Sequence, residues 1–435
     1  MPAYAAAMLA PEPRDPAQAF WDPPRQTMSR DRLRALQDER VRDLVRRVFE
    51  VPVPLFRAKL EAAGLGGPDD VKGLDDLPSV PVTFKQDLRD SEAAHPPFGD
   101  YRFTPPDQCV RLGSSTGTTG TPTLTLWTHH DIWVEYESAA RNWWRNGWRP
   151  GQVVTHAHPA YLYGGGVMLS GSLEYFGMLN VWVPPPDTDE LAEQGLRMWQ
   201  RVKPDVTMVA FSLGRFHEVA AKVGVEVNLP PFSMGGGGGR GLPLMTAGLE
   251  CYAYVGGPCS QGAGAHVHED WAVVQAVDPA TGRDVPDGQW GDLVVTTLGR
   301  DNGLLRYDLE EACMVVRDPC PCGETTIRAF WGGRFKDLIA SQGTRFLLHE
   351  LEGALRTVGS VAAPSLEYQL VKPRDETAPL SVRVELGGAG GDKTEVATAV
   401  RAALREALGV EAAVDVLDRD TLPRSGYKAT RLVDD

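Results

Sequence analysis

Between Ser114 and Thr123 the chain reads Ser-Ser-Thr-Gly-Thr-Thr-Gly-Thr-Pro-Thr, seven hydroxyls around two glycines. Glycine lets a backbone turn tightly and approach a ligand, while hydroxyls and amide N–H groups face anionic oxygens. That chemistry suits a nucleotide triphosphate. No Gly-Lys-Ser/Thr ending follows, so this is not a Walker loop, and Thr121 stands where a lysine would neutralise charge. An ordinary Ser/Thr/Gly turn has the same composition, and the surroundings decide between the two. A second group is built from sulfur: Cys320-Pro321-Cys322-Gly323 is a tight two-thiol turn, and upstream Cys259 is followed by His266 and His268.

Cys109-Val110-Arg111-Leu112, just before the hydroxyl-rich stretch, reads as the strand that delivers it. From about Met28 to Ala63 two amphipathic helices are expected, with Ser29 as a cap and Leu33, Leu36, Val41, Leu44 and Val48 on one face. From Val110 to about Phe330, apolar runs at 153–155, 181–183 and 206–209 alternate with helical patterns such as 188–202, which argues α/β. Trp143, Trp144 and Trp148 read as packing on an outer helix. Beyond Gly333, residues 380–386 alternate apolar and polar as a half-buried strand does, and Lys393 to Leu408 reads as a helix. A small αβ lid is expected there, joined at a hinge near Lys336.

At 435 residues, with 42% hydrophobic and 23% charged residues, the chain has room for two or three domains and a large core. Its 58 acidic against 44 basic side chains give a net charge of −14, which repels nucleic acid and anionic lipid. No window is long and uncharged enough to span a bilayer, and Met1 to Met8 has no basic region ahead of its short apolar run. A cytoplasmic chain with no nucleic-acid or membrane partner is expected. Six cysteines are too sparse for a disulfide scaffold and would stay reduced there.

Met28-Ser29-Arg30 with Leu33, Leu36-Gln37, Arg40, Leu44-Val45 and Pro54 to Gly64, then Leu77-Pro78 and Thr83-Phe84-Lys85-Gln86-Asp87-Leu88-Arg89, resembles the amino-terminal region of phenylacetate-coenzyme A ligases, members of the adenylate-forming superfamily. The hydroxyl-rich loop, Gly291 to Thr297, Leu305-Arg306-Tyr307, Gly333-Arg334 and Leu422-Pro423-Arg424-Ser425-Gly426-Tyr427-Lys428-Ala429 follow in that family's order. The resemblance spans nearly the whole chain. It implies an α/β fold with a large adenylate-forming domain: residues 1–105 a helical lead-in, 106–333 the ATP- and acid-binding core with mixed sheets. Residues 334–435 would form a small mobile α+β lid. The implied chemistry is activation of a small carboxylic acid by ATP as acyl-adenylate, followed by transfer to a pantetheine thiol of coenzyme A or an acyl carrier protein. A homodimer is also implied.

Ser115, Thr116, Thr118 and Thr119 hydroxyls with the Gly117 and Gly120 backbone are the expected donors to the triphosphate. Lys428 corresponds to the family's catalytic lysine, which stabilises charge developing at the α-phosphate; Gly426-Tyr427 stands in place of x-Gly in its Pro-Arg-Ser-x-Gly-Lys run. Arg334, also catalytic by this resemblance, corresponds to the arginine that contacts ribose and phosphate, and Lys336 stands at the hinge on which the lid would turn. The family's Arg-Tyr-x-x-Gly-Asp run reads Arg306-Tyr307-Asp308-Leu309-Glu310-Glu311, with Glu311 standing for the ribose-binding Asp. The Tyr-Gly-x-Ser/Thr-Glu motif, whose Glu supports magnesium, is matched nearest by Tyr252-Ala253-Tyr254-Val255-Gly256, without a carboxylate. The magnesium of ATP would then be held mainly by phosphate oxygens and water. Gly235-Gly236-Gly237-Gly238-Gly239-Arg240 occupies the place of the adenine loop, as a cradle or a tether.

Tyr161, Tyr163, Gly164 and Gly165 lie where the family lines its acid cavity and suit a flat aryl or arylalkyl acid, with core packing as the plain alternative. Several relatives bind a structural zinc through a Cys, His, Cys-x-Cys set. Cys259, His266, Cys320 and Cys322 match it in order, and four N and S donors suit a tetrahedral ion with no open position. The alternative is a loop beside a vestigial thiol turn. Three function classes follow: an acid–thiol ligase; an adenylating enzyme that activates nitrite to diazotise an aryl amine or forms amides; and a non-catalytic binding protein. Lys428 and the hydroxyl-rich loop argue against the last.

Overall fold

A computed structural model describes residues 11–115, 121–157, 165–184, 188–208, 219–224, 242–243, 246–259, 261, 263–362, 366–371, 375, 377–388, 390–422 and 431–433. Ser29 caps α1 (Arg30–Glu50), its hydroxyl accepting from Arg32 N, and Pro54 opens α2 (Pro54–Ala62), where a missing N–H costs nothing. The buried stripe of α1 is Leu33, Gln37, Val41, Leu44, Val45 and Val48. Leu36, expected on that face, is half-exposed; Gln37 turns inward instead because its amide donates to Glu269 O at 3.1 Å. Helix α3 (Lys85–Ala94) starts where the Asp87 carboxylate accepts the Phe84 N–H at 2.8 Å.

Strands β1 (Arg111–Ser114) and β2 (Leu124–Trp127) form an antiparallel hairpin, with Ser114 opposite Leu124. The strand expected at 109–112 starts two residues later, since Val110 only begins the pairing through its N–H to Trp127 O. Thr128 and Asp131 cap α4 (His129–Arg145) reciprocally, at 3.1 and 3.0 Å. This helix is buried on nearly every side, and its charged residues are therefore paired: Glu135 with Arg300 at 3.0 Å and Arg141 with Asp270 at 2.8 Å. The three tryptophans read as outer-helix packing are interior: Trp143 stacks on Trp148 at 4.9 Å and Trp144 is 2% exposed.

A parallel sheet follows, from β3 (Val153–His156), α5 (Gly165–Phe176), β4 (Leu179–Trp182), α6 (Asp189–Val202, capped by Thr188) and β5 (Val206–Met208), in the order β4-β3-β5. The larger sheet is antiparallel. It contains β6 (Leu242–Pro243), then, after the short α7 (Gly248–Cys251), β7 (Gly256–Pro258), β8 (Ala265–Val267), β9 (Ala272–Asp278), β10 (Arg283–Asp284), β11 (Trp290–Thr297), β12 (Tyr307–Val316) and β13 (Arg328–Arg334). Its order is β10-β9-β11-β12-β13-β8-β7, with β6 also on β13. The inner face of α1 and α2 packs on this sheet in one core that includes Val45, Phe56, Leu293, Val295 and Tyr307.

After a 3-10 turn at Phe335–Asp337 the chain builds β14 (Ile339–Ser341), β15 (Thr344–Phe346), α8 (Leu348–Arg356), β16 (Tyr368–Val371), β17 (Leu380–Glu385), α9 (Lys393–Leu408), β18 (Ala412–Leu417) and β19 (Leu432–Val433). Leu380, Val382 and Val384 are buried and Ser381 and Arg383 exposed, as the alternation required. Residues from Ile339 to Val416 share a separate core. The architecture is α/β, with a large amino-terminal unit of mixed sheets and a small carboxy-terminal one. Among the described residues no helix is long and apolar enough to cross a membrane.

Candidate active site

The hydroxyl-rich stretch is the connection of the β1–β2 hairpin, and its neck is clasped. Ser115 N donates to Thr123 O at 3.0 Å, Thr123 N to Ser115 Oγ at 3.1 Å, and the two hydroxyls lie 3.1 Å apart. Thr123 also donates to Glu250 Oε1 at 2.6 Å. Thr116, Gly117, Thr118, Thr119 and Gly120 lie outside the described residues, as do Tyr161, Tyr163, Gly164, Gly235, Gly236 and Lys428.

Two hydrogen bonds dock the segment before α3 on the start of β12: Thr83 N to Arg306 O at 2.8 Å and Asp308 N to Thr83 O at 2.9 Å. That docking puts Lys85, in the first turn of α3, beside Glu250, with Nζ 2.9 Å from Oε1. Burial alone would push the Glu250 carboxyl up; the Lys85 charge and the Thr123 hydroxyl outweigh it and hold the group below the usual carboxylate value. Glu311 is on the same β12, opposite Arg334 on β13. Its Oε2 accepts the Trp331 indole N–H at 2.9 Å. Burial pushes the Glu311 carboxyl up against the opposing pull of Trp331 and Arg334, and it also feels the charges of Glu250 and Lys85. Glu311 thus lies opposite Arg334 and within electrostatic reach of the Lys85–Glu250 pair beside the loop's neck, and Arg334 is exposed.

Tyr252 stands apart from this group. It is 1% exposed, and its hydroxyl donates to Trp271 O at 2.6 Å and accepts from Gly299 N at 3.2 Å. Arg306 is likewise structural: its guanidinium donates to Val80 O at 2.7 Å and Gly282 O at 2.5 Å. Gly165 opens α5, and Lys336 is exposed in the turn between the two units. Lys85 and Glu250, which brace this neck, are not singled out by the sequence: Lys85 sits in a run of family likeness and Glu250 two residues before Tyr252, and neither position shows that the carboxylate is buried against a cation.

Cys259, just past β7, His266 in β8, and Cys320 and Cys322 in the β12–β13 turn converge, their donor atoms all within 4.8 Å of one another. Cys259 and Cys320 sulfurs are 3.6 Å apart, and Cys322 Sγ lies 3.3 Å from His266 Nε2. A tetrahedral ion with ~2.3 Å sulfur bonds holds its ligands about 3.8 Å apart, so the set fits zinc in number, type and spacing. His266 Nδ1 is 3.2 Å from Thr326 O, which turns Nε2 toward the cluster, and Gln261 N and Glu324 N each donate to a sulfur at 3.4 Å.

Residues 349–435 match the AMP-binding enzyme C-terminal domain family. The phenylacetate-coenzyme A ligase of Thermus thermophilus is 32% identical over 84% of this chain and 84% of its own length. That of Escherichia coli strain K12 is 28% identical over 94% and 97%. The crystal structure of an open conformation of 2-hydroxyisobutyryl-CoA ligase, in complex with 2-HIB-AMP and CoA, superposes with a TM-score of 0.79 at 25% identity, covering 97% of this chain and 96% of that one. With its clasped loop, its carboxy-terminal unit and relatives at this identity, the chain belongs to the phenylacetate-coenzyme A ligase family of AMP-forming acid–thiol ligases.

Proposed function

We propose that this enzyme activates an aryl or arylalkyl carboxylic acid with ATP and passes the acyl group to the pantetheine thiol of coenzyme A. A carboxylate acylates poorly because its leaving group would be oxide. Attack of a carboxylate oxygen on the α-phosphorus forms the P–O bond of an acyl-adenylate and expels pyrophosphate. The thiolate then attacks the activated carbonyl, and AMP leaves with the electron pair of the C–O bond. The observation that supports this reading is the Ser115–Thr123 clasp, braced by Glu250, with Glu311 within electrostatic reach of Glu250 and opposite Arg334; in this reading the hydroxyls serve the triphosphate, Glu311 the ribose hydroxyls and Arg334 a phosphate. Lys428 supplies the second cation, at the α-phosphate. Glu250, beside the loop, is already engaged by Lys85 and Thr123, so phosphate oxygens and water supply most ligands of the magnesium that accompanies ATP. The aryl preference rests on the names of the relatives and on Tyr161 and Tyr163. Cys259, His266, Cys320 and Cys322 hold a structural zinc in this reading.

The test is acid-dependent exchange of labelled pyrophosphate into ATP across aryl, arylalkyl and short aliphatic acids, then thioester formation with coenzyme A and with a carrier protein. Exchange with an aryl acid and a coenzyme A product is expected. Lys428→Ala should cut exchange by about 10²-fold or more while leaving ATP affinity within a few-fold, because the charge acts in the transition state. Exchange driven only by aliphatic acids would sink the aryl assignment, and an unchanged Lys428→Ala rate would sink the role of that lysine.

A further inference from the structure

Glu250 sits on the short α7 with a side chain only 6% exposed, and its Oε1 receives both Thr123 Oγ1 and Lys85 Nζ. Thr123 is one half of the clasp at the loop's neck, so the carboxylate reaches Ser115 through Thr123 on one side and bonds helix α3 directly through Lys85 on the other. The helix grips the same limb of the loop at two more places. Arg89 Nε donates to Thr121 O at 3.2 Å, and Glu92 Oε1 accepts Leu124 N at 3.1 Å. Lys85, Arg89 and Glu92 are spaced i, i+4 and i+7 and form a single face of α3. Gly248 leaves room for the hub: at φ +71° a Cβ there would stand 3.0 Å from Glu250 Oε2.

We propose that Glu250 is a positioning residue for nucleotide binding: its carboxylate fixes Thr123, and through it the Ser115–Thr123 neck, while holding the Lys85 ammonium beside that neck. This rests on reading that loop as the triphosphate cradle. A buried carboxylate beside a triphosphate is tolerable only while a cation neutralises it. Removing Lys85 alone therefore exposes the nucleotide to an unpaired anion, and removing both charges relieves it. A residue that merely filled space would show no such coupling.

The experiment measures binding of labelled ATP with magnesium to the full chain by equilibrium dialysis, together with the KM for ATP and for the acid in pyrophosphate exchange. Lys85→Met, Glu250→Gln, the double variant and Thr123→Val are compared at matched thermal stability. Glu250→Gln and Thr123→Val should each weaken ATP about tenfold, the scale of one charge-assisted hydrogen bond, with the KM for the acid unchanged. Lys85→Met should be weaker still, and the double variant should bind ATP more tightly than Lys85→Met alone. A double variant no better than Lys85→Met, or Glu250→Gln and Thr123→Val both matching the wild type, overturns the inference while the nucleotide reading stands. A wild-type chain that binds no ATP overturns that reading, and this inference with it.

Discussion

Asp292 and Asp308 lie on neighbouring strands beside an irregularity in the β11–β12 ladder, and both are mostly buried. Burial first, and then the Asp308 charge, pushes the Asp292 carboxyl up to about 8. That lies above the unfolded value of about 3.9, so folding favours the protonated acid. The associated stability is complete below the unfolded value and is lost as pH rises through the folded one. Asp292→Asn, which keeps the shape without the charge, should therefore raise the melting temperature by roughly 2 °C near pH 9 and by much less near pH 5. Equal shifts at both pH values would show that the pair does not share a proton. This coupling could not be read from Gly291-Asp292-Leu293, which looks like any strand with one polar residue. Glu250 was equally silent, because a carboxylate's burial is a property of what packs on it.

At the scale of elements, the Cys259–His266–Cys320–Cys322 cluster brings the β7–β8 hairpin and the β12–β13 turn together. His266 is opposite Arg328 on the neighbouring strand, and Glu324, just past Cys322, is buried against Arg145 of α4 and Gln26. Zinc in this cluster would therefore join the sheet edge to a buried helix. Purified protein never exposed to chelators should carry about one zinc per chain, and Cys322→Ser should lose most of it together with roughly 5 °C of melting temperature. A zinc-free wild type with the same melting temperature as Cys322→Ser would remove the metal from the account. A second device pins the segment after Glu250. Glu135, with a side chain fully buried, accepts Ala253 N at 3.0 Å and Tyr254 N at 3.2 Å while paired with Arg300. Glu135→Ala removes the carboxylate that balances the Arg300 charge in the interior, and a loss of about 3–5 kcal/mol in denaturant titration is expected. A loss under ~1 kcal/mol would mean that water reaches Arg300 once the carboxylate is gone.

For the whole molecule, the junction between the large and small units is short. Gly333 at φ +91° is the next-to-last residue of β13, and Arg334, which ends the strand facing Glu311, leads straight into the turn that holds Lys336. One residue thus both faces Glu311 and leads into the connection. A Cβ at position 333 meets nothing within 4 Å, so Gly333→Ala costs only backbone strain, about 1 kcal/mol. If the small unit turns here between half-reactions, Gly333→Ala should slow thioester formation about threefold or more while pyrophosphate exchange changes less. Equal slowing of both steps would place the turning point elsewhere.

Periodicity and punctuation were sufficient for what depends on local order. The Ser29 cap, α6 ending at Val202, β17 and the helix from Lys393 to Leu408 were all legible, because a helix or strand repeats its apolar residues at a spacing that the chain itself displays. That Cys259, His266, Cys320 and Cys322 come together was also legible, through the order they share with the family's Cys, His, Cys-x-Cys set. Tertiary structure alone decided where charge could be buried. It turned Gln37 inward in place of Leu36, took Tyr252 and Arg306 into structural hydrogen bonds, and set Glu250 between Lys85 and Thr123, each more than a hundred positions before it. Such pairings are fixed by the long-range packing of α3, the β1–β2 hairpin and α7, and a buried ion finds its partner through that packing, with no local pattern to announce it.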